Sequence, residues 1–245
     1  MNEKKRIFCI APMMGYTTPH ARYFYHLITK NAYLFTEMIA AKALIYSKNK
    51  KFVEKKSLEN PTALQVGGAD YKDLSISSKL AEKNYFDEIN LNVGCPSKAV
   101  KKGRFGACLM KEKNVVKDCL NSMMDSTSIE VTMKCRIGVD EYNDYDFFRD
   151  FIGYIVKDSN LKTIYVHARN ALLNGVSPKY NRTVPVLKYE YVYKIKKDFP
   201  NIEFIINGGI NNLESAKKLS RDLDGVMLGR LILSNPFILK EIDKN

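Results

Sequence analysis

The sequence predicts a single (β/α)8 barrel, and three observations support this prediction. The chain has 245 residues, close to the roughly 250 that are typical of one such barrel. Short runs rich in Ile, Val, Phe and Leu alternate with longer segments that have helical character. The residues that could carry chemistry follow these runs, at the end of the barrel where the active sites of this fold lie.

The short runs have the composition of strands that are buried on both faces. They span residues 7–13, 33–39, 62–67, 88–93, 130–136, 163–168, 203–207 and 225–228. Between them we predict helices over residues 71–83, 112–124, 145–157, 189–198 and 213–220, with Asp70 as the cap of the first. Alternating strands and helices indicate parallel βαβ units. An open doubly wound sheet is the structural alternative, but no GxGxxG motif follows the first run.

Composition restricts the class of protein. A chain with 45% hydrophobic and 27% charged residues is typical of a globular protein, and nothing approaches the roughly 18 apolar residues of a membrane span. The charged N-terminus has no apolar segment of a secretory signal. The 5 cysteines are irregularly spaced and include no CxxC pair, which argues against disulfides or a zinc site. We therefore expect a cytoplasmic protein with free thiols, no bound metal and no membrane association.

The charge balance concerns the partners of the protein. The chain has 39 Lys and Arg against 27 Asp and Glu, a net charge of +12, which suits a polyanion such as nucleic acid. A Lys-rich compositional bias explains the same charge without any partner. The basic residues placed to surround the mouth of the barrel are Lys98, Lys101, Lys102 and Arg104, together with Lys179 and Arg182 in a long insertion over residues 170–183. The Lys-rich run over residues 48–56 is a candidate solvated face.

Glycines follow the last two predicted strands. Asn207, Gly208 and Gly209 come after the seventh, and Gly229 and Arg230 after the eighth. Barrels frequently bind a phosphate with these two loops, because glycine lets backbone N–H groups approach an anion. Arg230 adds a charged donor. Either pair alone is common in turns, but the two together predict a phosphate site.

Three polar residues lie within or at the ends of predicted strands: Gln65, Lys134 and His167. A Lys among Val, Met and Cys is costly to bury unless an anion accompanies it. These side chains offer hydrogen-bond and charge partners to a polar heterocycle such as a flavin. The alternatives are a Lys134 paired with a carboxylate of the barrel and a His167 satisfied within the core.

Cys95 follows the fourth predicted strand, between Gly94 and Pro96. A free thiol with a pKa of about 8.5 is mostly protonated at neutral pH, and such a group suits a general acid. A thiolate nucleophile would need a base or a cation nearby. Structural roles are favoured for Cys9, Cys119 and Cys135, and the role of Cys108 stays open.

The most distinctive segments span residues 90–97 and 103–110. With shorter segments at 11–14, 65–68, 134–136, 167–170, 207–209 and 228–230, they resemble the tRNA-dihydrouridine synthases over essentially the whole chain. The segment 175–182 resembles the A subfamily, which acts on uridines 20 and 20a of the tRNA D loop. Members of the family usually continue into a C-terminal helical domain that helps to bind tRNA. We therefore expect residues 1–245 to be a single FMN-binding barrel without that domain.

The resemblance implies a role for each matching residue. FMN would contact Pro12, Met13, Met14, Gln65, Lys134 and His167, and its phosphate would contact Asn207, Gly208, Gly209, Gly229 and Arg230. Asn92 would contact the target uracil, and Lys179, Tyr180 and Arg182 would contact tRNA. NADPH would reduce FMN, the flavin would deliver a hydride to C6 of a flipped-out uracil, and Cys95 would protonate C5.

Three alternatives remain at this point. The first is a shortened, weakly active or non-catalytic tRNA-binding relic of the enzyme, against which stand the intact Cys95, Lys134 and His167. The second is another FMN barrel that acts on a free pyrimidine, such as a dihydroorotate dehydrogenase. The third is a phosphosugar-binding barrel, which gives no reason for Cys95. The sequence leaves open which uridine is reduced and whether NADPH or NADH is the reductant. It also leaves open the oligomeric state, for which a monomer is our working expectation.

Overall fold

The computed structural model describes residues 7–48, 55, 60–174, 176, 177 and 179–243. Within these residues, parallel strands form one sheet in the order β1-β9-β8-β7-β6-β5-β4-β2, and β3 also pairs with β4. The strands are β1 Phe8–Ile10, β2 Leu34–Phe35, β3 Ile39–Ala40, β4 Thr62–Gly67, β5 Glu88–Val93, β6 Glu130–Arg136, β7 Thr163–His167, β8 Glu203–Asn207 and β9 Gly225–Leu228.

The sheet closes on itself between β1 and β2. Cys9 forms a parallel bridge with Tyr33, the Ile10 N–H donates to the Tyr33 carbonyl at 2.8 Å, and the Tyr33 N–H donates to the Phe8 carbonyl at 2.8 Å. Because β2 and β3 both pair with β4, they share one strand position, and the barrel has the eight positions that the sequence predicts. The structure thus confirms the (β/α)8 prediction over the open sheet.

The α-helices of the described residues are α1 Pro19–Ile28, α2 Ala41–Tyr46, α3 Tyr71–Lys83, α4 Lys98–Lys102, α5 Lys113–Met124, α6 Tyr145–Val156, α7 Tyr189–Asp198, α8 Leu213–Ser220, α9 Arg230–Ser234 and α10 Leu239–Ile242. The carboxylate of Asp70 caps α3 by accepting from the N–H groups of Lys72 and Asp73, as the sequence predicts. The sequence did not predict α1, which begins at Pro19 after the Thr18 cap, because its many aromatic residues are equally typical of strands. None of these helices has the length and hydropathy needed to cross a bilayer.

Two apolar clusters build the core. The larger one fills the space between the strands and the surrounding helices. The smaller one lies inside the barrel and consists of Cys9, Ala11, Tyr33, Phe35, Ala63, Tyr165, Ile205 and Met227. The interior next to β4, β5 and β6 is polar instead, with Gln65, Asn90 and Thr132 all buried. Side chains alternate between the two faces of a strand. Every second residue of β4, β5 and β6 therefore points into the barrel, and this polar row continues up to the C-terminal ends of the strands.

Candidate active site at the C-terminal ends of the strands

Cys95 lies on a turn that follows β5 and that Asn92 holds in place. Asn92 Oδ1 accepts hydrogen bonds from the N–H groups of Gly94 at 3.1 Å and Cys95 at 2.9 Å. The Cys95 carbonyl accepts a further bond from the Ala107 N–H at 3.0 Å. The thiol is half-buried, and the rigid end of β5 determines where it lies.

The segment after Cys95 packs back onto this turn through Gly106. Its φ is +74°, and a Cβ added there would lie 2.6 Å from the Cys95 carbonyl oxygen and would overlap the side chain of Val100. Only glycine meets both requirements. Residues 103–110, which are distinctive in the sequence, therefore support the turn that carries the thiol.

Arg136, at the end of β6, joins the Cys95 turn to the insertion over residues 170–183. Its Nε donates to the Gly94 carbonyl at 3.0 Å, and its Nη1 donates to the carbonyls of Asn170 at 2.9 Å and Asn181 at 3.0 Å. Only 4% of the residue is exposed, and burial lowers the pKa of its guanidinium to about 10, so that it remains charged at neutral pH. Sequence reasoning gave Arg136 no role, although its position two residues after Lys134 places both on one face of the strand.

Several cations converge at this mouth of the barrel. Lys134 Nζ donates to Asn207 Oδ1 at 3.1 Å, and burial, with Arg136 nearby, lowers the pKa of Lys134 to about 8. Burial lowers the pKa of His167 well below its usual value, and Arg136, Lys134 and two further arginines add to this effect. The His167 imidazole is therefore neutral at neutral pH.

No carboxylate balances this cationic cluster within the part of the chain that the structure describes. The ion pairs found there involve none of Lys134, Arg136, Arg169 or Arg230. The alternative in which Lys134 pairs with a carboxylate of the barrel is therefore not observed. Clustered cations without a counter-ion favour an anionic ligand at the mouth.

Three buried polar atoms at the end of β7 have no hydrogen-bond partner among the residues that the structure describes: His167 Nδ1, Arg169 Nε and Asn170 Oδ1. Buried polar groups are normally satisfied, so such atoms indicate a site that a ligand or water completes. The alternative of a His167 satisfied within the core is not what the structure shows for its Nδ1.

The loop after β8 has the shape of an anion cradle. Gly208 has φ +111° and Gly209 has φ +69°, and a Cβ on Gly208 would lie 3.1 Å from His167 Cε1. The Tyr189 hydroxyl holds the loop by donating to the Gly208 carbonyl at 2.6 Å. Because side chains are excluded here, the backbone is accessible to a ligand.

The start of α9 lies near the same loop. Gly229 directly precedes α9, and Arg230 is exposed, with its Nη2 donating to the Arg182 carbonyl at 3.4 Å. The phosphate-site residues predicted from the sequence therefore meet the insertion at one side of the mouth. The Asn207 side chain differs, because its Nδ2 donates to the Met227 carbonyl at 2.7 Å while its Oδ1 accepts from Lys134. Its contribution would be to position Lys134 and the glycine loop.

The other residues predicted to contact a flavin lie below or beside the cationic cluster. Gln65 is buried in the barrel interior, where it accepts from Asn92 Nδ2 at 2.8 Å. At the end of β1, Pro12 and Met13 are half-buried and Met14 is 66% exposed. The Met13 N–H donates to the Thr17 hydroxyl at 3.0 Å, which fixes this stretch of backbone.

Asn181 organises the insertion from inside. It is fully buried, accepts the Leu172 N–H on Oδ1 at 2.7 Å and donates from Nδ2 to the Leu172 carbonyl at 2.8 Å. Its neighbours Lys179, Tyr180 and Arg182 are exposed. The insertion therefore presents two cations and an aromatic ring to solvent, whereas Gly175 and Pro178 lie outside the described residues.

The second basic segment is exposed on the same side. Lys98, Lys101, Lys102 and Arg104 are all exposed, and Lys101 Nζ donates to Asn174 Oδ1 at 2.5 Å, so the two basic segments touch. Of the Lys-rich run over residues 48–56, only Lys48 and Lys55 lie within the described residues, and Lys55 pairs with Asp87. Of the remaining cysteines, Cys108 is half-buried like Cys95, whereas Cys9, Cys119 and Cys135 are buried. Burial raises the pKa of Cys119 and Cys135 to about 12.

Two grooves on the outside of the barrel, one between α3 and α5 and one along α6, do not involve these residues. A shallow polar groove of about 590 Å³ lies between α3 and α5, on the outside of the barrel. Over the same described residues, no group of three His, Cys, Asp or Glu side chains is arranged to hold a metal ion. The strand ends therefore remain the place where chemically capable groups come together.

A closed parallel barrel with a half-buried thiol beside a cationic, glycine-lined mouth defines this protein as a (β/α)8 barrel enzyme whose active site suits an anionic ligand. A family model described as "Dihydrouridine synthase (Dus)" matches residues 9–245. The chain belongs to the dihydrouridine synthase family, which consists of flavin-dependent oxidoreductases.

Curated relatives agree with this assignment. The chain is 46% identical over 237 residues to a tRNA-dihydrouridine(20/20a) synthase of Yersinia pestis, covering 97% of this chain and 68% of the relative. It is 45% identical over 235 residues to the protein with the same name from Vibrio vulnificus (strain CMCP6), covering 96% of this chain and 72% of the relative. The relative from Escherichia coli (strain K12) is 46% identical over 237 residues, 97% of this chain and 68% of its own length.

Proposed function

We propose that the protein reduces uridines 20 and 20a in the D loop of tRNA to 5,6-dihydrouridine, with FMN as its cofactor and NADPH as the reductant. The observation that carries this proposal is the position of the Cys95 turn next to a cationic mouth that has no carboxylate counter-ion among the described residues. The names of the relatives, tRNA-dihydrouridine(20/20a) synthases, support the substrate and the two positions.

The residues at the mouth fit FMN. The Gly208–Gly209 loop, Gly229 and Arg230 would hold the phosphate, because that side combines accessible backbone with a cation. Gln65, Lys134 and His167, with the backbone of residues 12–14, would contact the ring system. The unpartnered His167 Nδ1 and the uncompensated charge of Lys134 are the features that a polar, partly anionic ring would satisfy. When bound, reduced FMN supplies a hydride for C6 of the uracil.

Cys95 would supply the proton that completes the reduction. Its Sγ–H bond breaks as C5 of the uracil gains the proton, and the sulfur is left as a thiolate until solvent reprotonates it. Lys134 and the charged Arg136 both interact electrostatically with Cys95, and this positive field would stabilise the thiolate. Asn92 holds the turn and has one N–H left, which would donate to the uracil.

The two basic segments would bind the tRNA backbone around the mouth. Lys98, Lys101, Lys102 and Arg104 would lie on one side, and Lys179, Tyr180 and Arg182 on the other. The target base must leave its stack to reach Cys95, which costs a few kcal/mol and favours nucleotides of a loop. A tRNA substrate and free cysteines both favour action in the cytoplasm.

A defined reaction tests the proposal. The purified protein is reconstituted with FMN, mixed without oxygen with NADPH and an unmodified tRNA transcript, and the tRNA is mapped for dihydrouridine. We expect product at positions 20 and 20a. A protein that cannot be loaded with FMN would contradict the proposal. A flavin-loaded protein that binds tRNA but yields no dihydrouridine would favour the non-catalytic relic.

A further inference from the structure

Five buried polar side chains cross the barrel interior beneath the mouth and form one line of hydrogen bonds, which we call the interior network. Asn92 Nδ2 donates to Gln65 Oε1 at 2.8 Å, and Gln65 Nε2 donates to Asn90 Oδ1 at 2.8 Å. Asn90 Nδ2 donates to Thr132 Oγ1 at 2.7 Å, and the Thr132 hydroxyl donates to Glu88 Oε1 at 2.5 Å. None of the five is more than 7% exposed.

Strand register brings these side chains together. Gln65 on β4 pairs with Asn90 on β5, and Asn90 pairs with Thr132 on β6. Glu88, Asn90 and Asn92 alternate along β5 and therefore share its inner face. The interior network thus runs from deep inside the barrel up to the Cys95 turn.

The network has a single direction, and both of its ends impose it. At the top, Asn92 must present its oxygen to the turn, because two N–H groups point at that atom. At the bottom, the Glu88 carboxylate accepts, so the Thr132 hydroxyl must donate to it and accept from Asn90. With one amide end fixed, each following amide has only one orientation that pairs donors with acceptors. The orientation that the Cys95 turn requires of the Asn90, Gln65 and Asn92 amides is the same as the orientation that Glu88 requires.

We propose that Thr132 is a positioning residue for Cys95. Its hydroxyl donates to the Glu88 carboxylate and is therefore left to accept from the amide of Asn90, which fixes the orientation of that amide. Gln65 passes this orientation to Asn92, and Asn92 holds the N–H groups of Gly94 and Cys95. Thr132 thereby sets how tightly the turn holds the thiol.

The chain offers a matched control at Thr163. This threonine is also fully buried, and its hydroxyl faces carboxylate oxygens of Glu130 at 2.7 Å and Glu203 at 3.0 Å. It has no hydrogen bond to the interior network. Thr132→Val and Thr163→Val therefore each remove a buried hydroxyl that bonds to a carboxylate, but only the first interrupts the line to Cys95. Thr132→Ser keeps the hydroxyl.

The first measurement is the alkylation rate of Cys95 in the full-length protein without added flavin. Iodoacetamide is the reagent, and peptide mass spectrometry separates Cys95 from Cys108, whose pKa is raised by burial and by Glu112. We expect Thr132→Val to raise the Cys95 rate about fivefold, the factor that corresponds to the loss of one net hydrogen bond from the turn. We expect Thr132→Ser and Thr163→Val to keep the wild-type rate.

The second measurement is turnover, and it alone rests on the proposed function. Thr132→Val should lower kcat about tenfold through a misplaced thiol, with KM for tRNA unchanged because the basic segments are untouched. Equal Cys95 rates in Thr132→Val and wild type, or equal changes in the two Val variants, would overturn the inference. If alkylation changes as expected while the wild type makes no dihydrouridine, the proposed function fails and the positioning role stands.

Discussion

The guanidinium Nε of Arg136 donates a hydrogen bond at 3.0 Å to the carbonyl of Gly94, the residue directly before Cys95. The same side chain reaches two carbonyls at the two sides of the insertion, Asn170 and Asn181. One buried cation therefore links the turn that carries the thiol to the loop that presents Lys179 and Arg182. The catalytic and tRNA-facing parts of the proposed site are mechanically connected through it.

Arg136→Lys should loosen the connection between the Cys95 turn and the insertion over residues 170–183. A lysine has one flexible ammonium group and cannot reproduce the planar fork that reaches three carbonyls. We expect kcat to fall about tenfold or more and the insertion to be cleaved faster by protease. Arg149→Lys is the control, because Arg149 is 60% exposed and pairs with Asp198 at 2.9 Å on the outer surface. Equal protease sensitivity of the two variants would argue against the link.

Lys134→Met should stabilise the flavin-free protein near neutral pH. The pKa of Lys134 is about 8 in the folded protein and about 10.4 when unfolded, so the unfolded state binds more protons between these values. The wild type therefore gains stability as pH rises from about 8 to 10.4. We expect the free energy of unfolding of the variant to exceed that of the wild type by about 1–3 kcal/mol at pH 7. Chemical denaturation of both proteins at pH 7 and above pH 10 tests this prediction. The difference between their free energies of unfolding should vanish at the higher pH.

The same lysine should make FMN binding depend on pH. An anionic ligand favours the charged form of Lys134. In the flavin-free protein Lys134 loses its proton as pH rises above about 8, so the affinity of the protein for FMN should fall above that pH. In Lys134→Met this part of the pH dependence should be absent. Fluorescence titration of FMN between pH 6.5 and 10 measures both proteins. Parallel profiles would show that Lys134 does not contact the bound flavin.

Gly106→Ala should cost more stability than Gly15→Ala. Both glycines have positive φ, +74° and +79°, but a Cβ on Gly15 meets nothing within 4 Å, whereas a Cβ on Gly106 collides with the Cys95 carbonyl. The backbone strain of about 1–2 kcal/mol is common to both variants, so the difference isolates the collision. Thermal unfolding should show a lower Tm for Gly106→Ala than for Gly15→Ala. The alkylation rate of Cys95 in Gly106→Ala should differ from that in the wild type. Equal Tm values would mean that the segment can move away from the turn without cost.

Lys179→Ala and Arg182→Ala should each weaken tRNA binding in a salt-dependent manner. Each phosphate contact removed should reduce the slope of log affinity against log salt by about 0.7–0.9. Lys197→Ala, an exposed lysine on α7, is the control and should leave the slope unchanged. Filter binding with an unmodified tRNA transcript at several salt concentrations measures the slopes. A uniform slope across the three variants would place the tRNA elsewhere.

Local patterns in the sequence predicted what depends on local structure. The strand positions, the Asp70 cap, the glycine loop at Gly208 and the exposed position of Arg182 all follow from short-range composition and from the rule that active sites lie at strand ends. The strand predicted over residues 33–39 is interrupted, because only Leu34–Phe35 and Ile39–Ala40 pair with β4.

The contacts that organise the site join residues far apart in sequence. Arg136 meets Gly94 across 42 residues and Asn181 across 45, and Thr132 meets Asn90 across 42. Such pairs depend on strand register and barrel closure, which no local pattern encodes. The ligand roles of Asn92 and Asn207 follow from the family resemblance and stay predictions. The structure adds that Asn92 also holds the Cys95 turn and that Asn207 also accepts a hydrogen bond from Lys134.

The central claim, that Cys95 protonates the uracil, is tested most directly by a single-turnover reaction. Protein loaded with FMN is reduced anaerobically and mixed with unmodified tRNA, and both flavin oxidation and dihydrouridine are followed for the wild type, Cys95→Ala and Cys108→Ala. We predict that Cys95→Ala binds flavin and tRNA like the wild type but forms dihydrouridine at least about a hundredfold more slowly, while Cys108→Ala retains its rate. Dihydrouridine formation by Cys95→Ala at the wild-type rate would contradict the account.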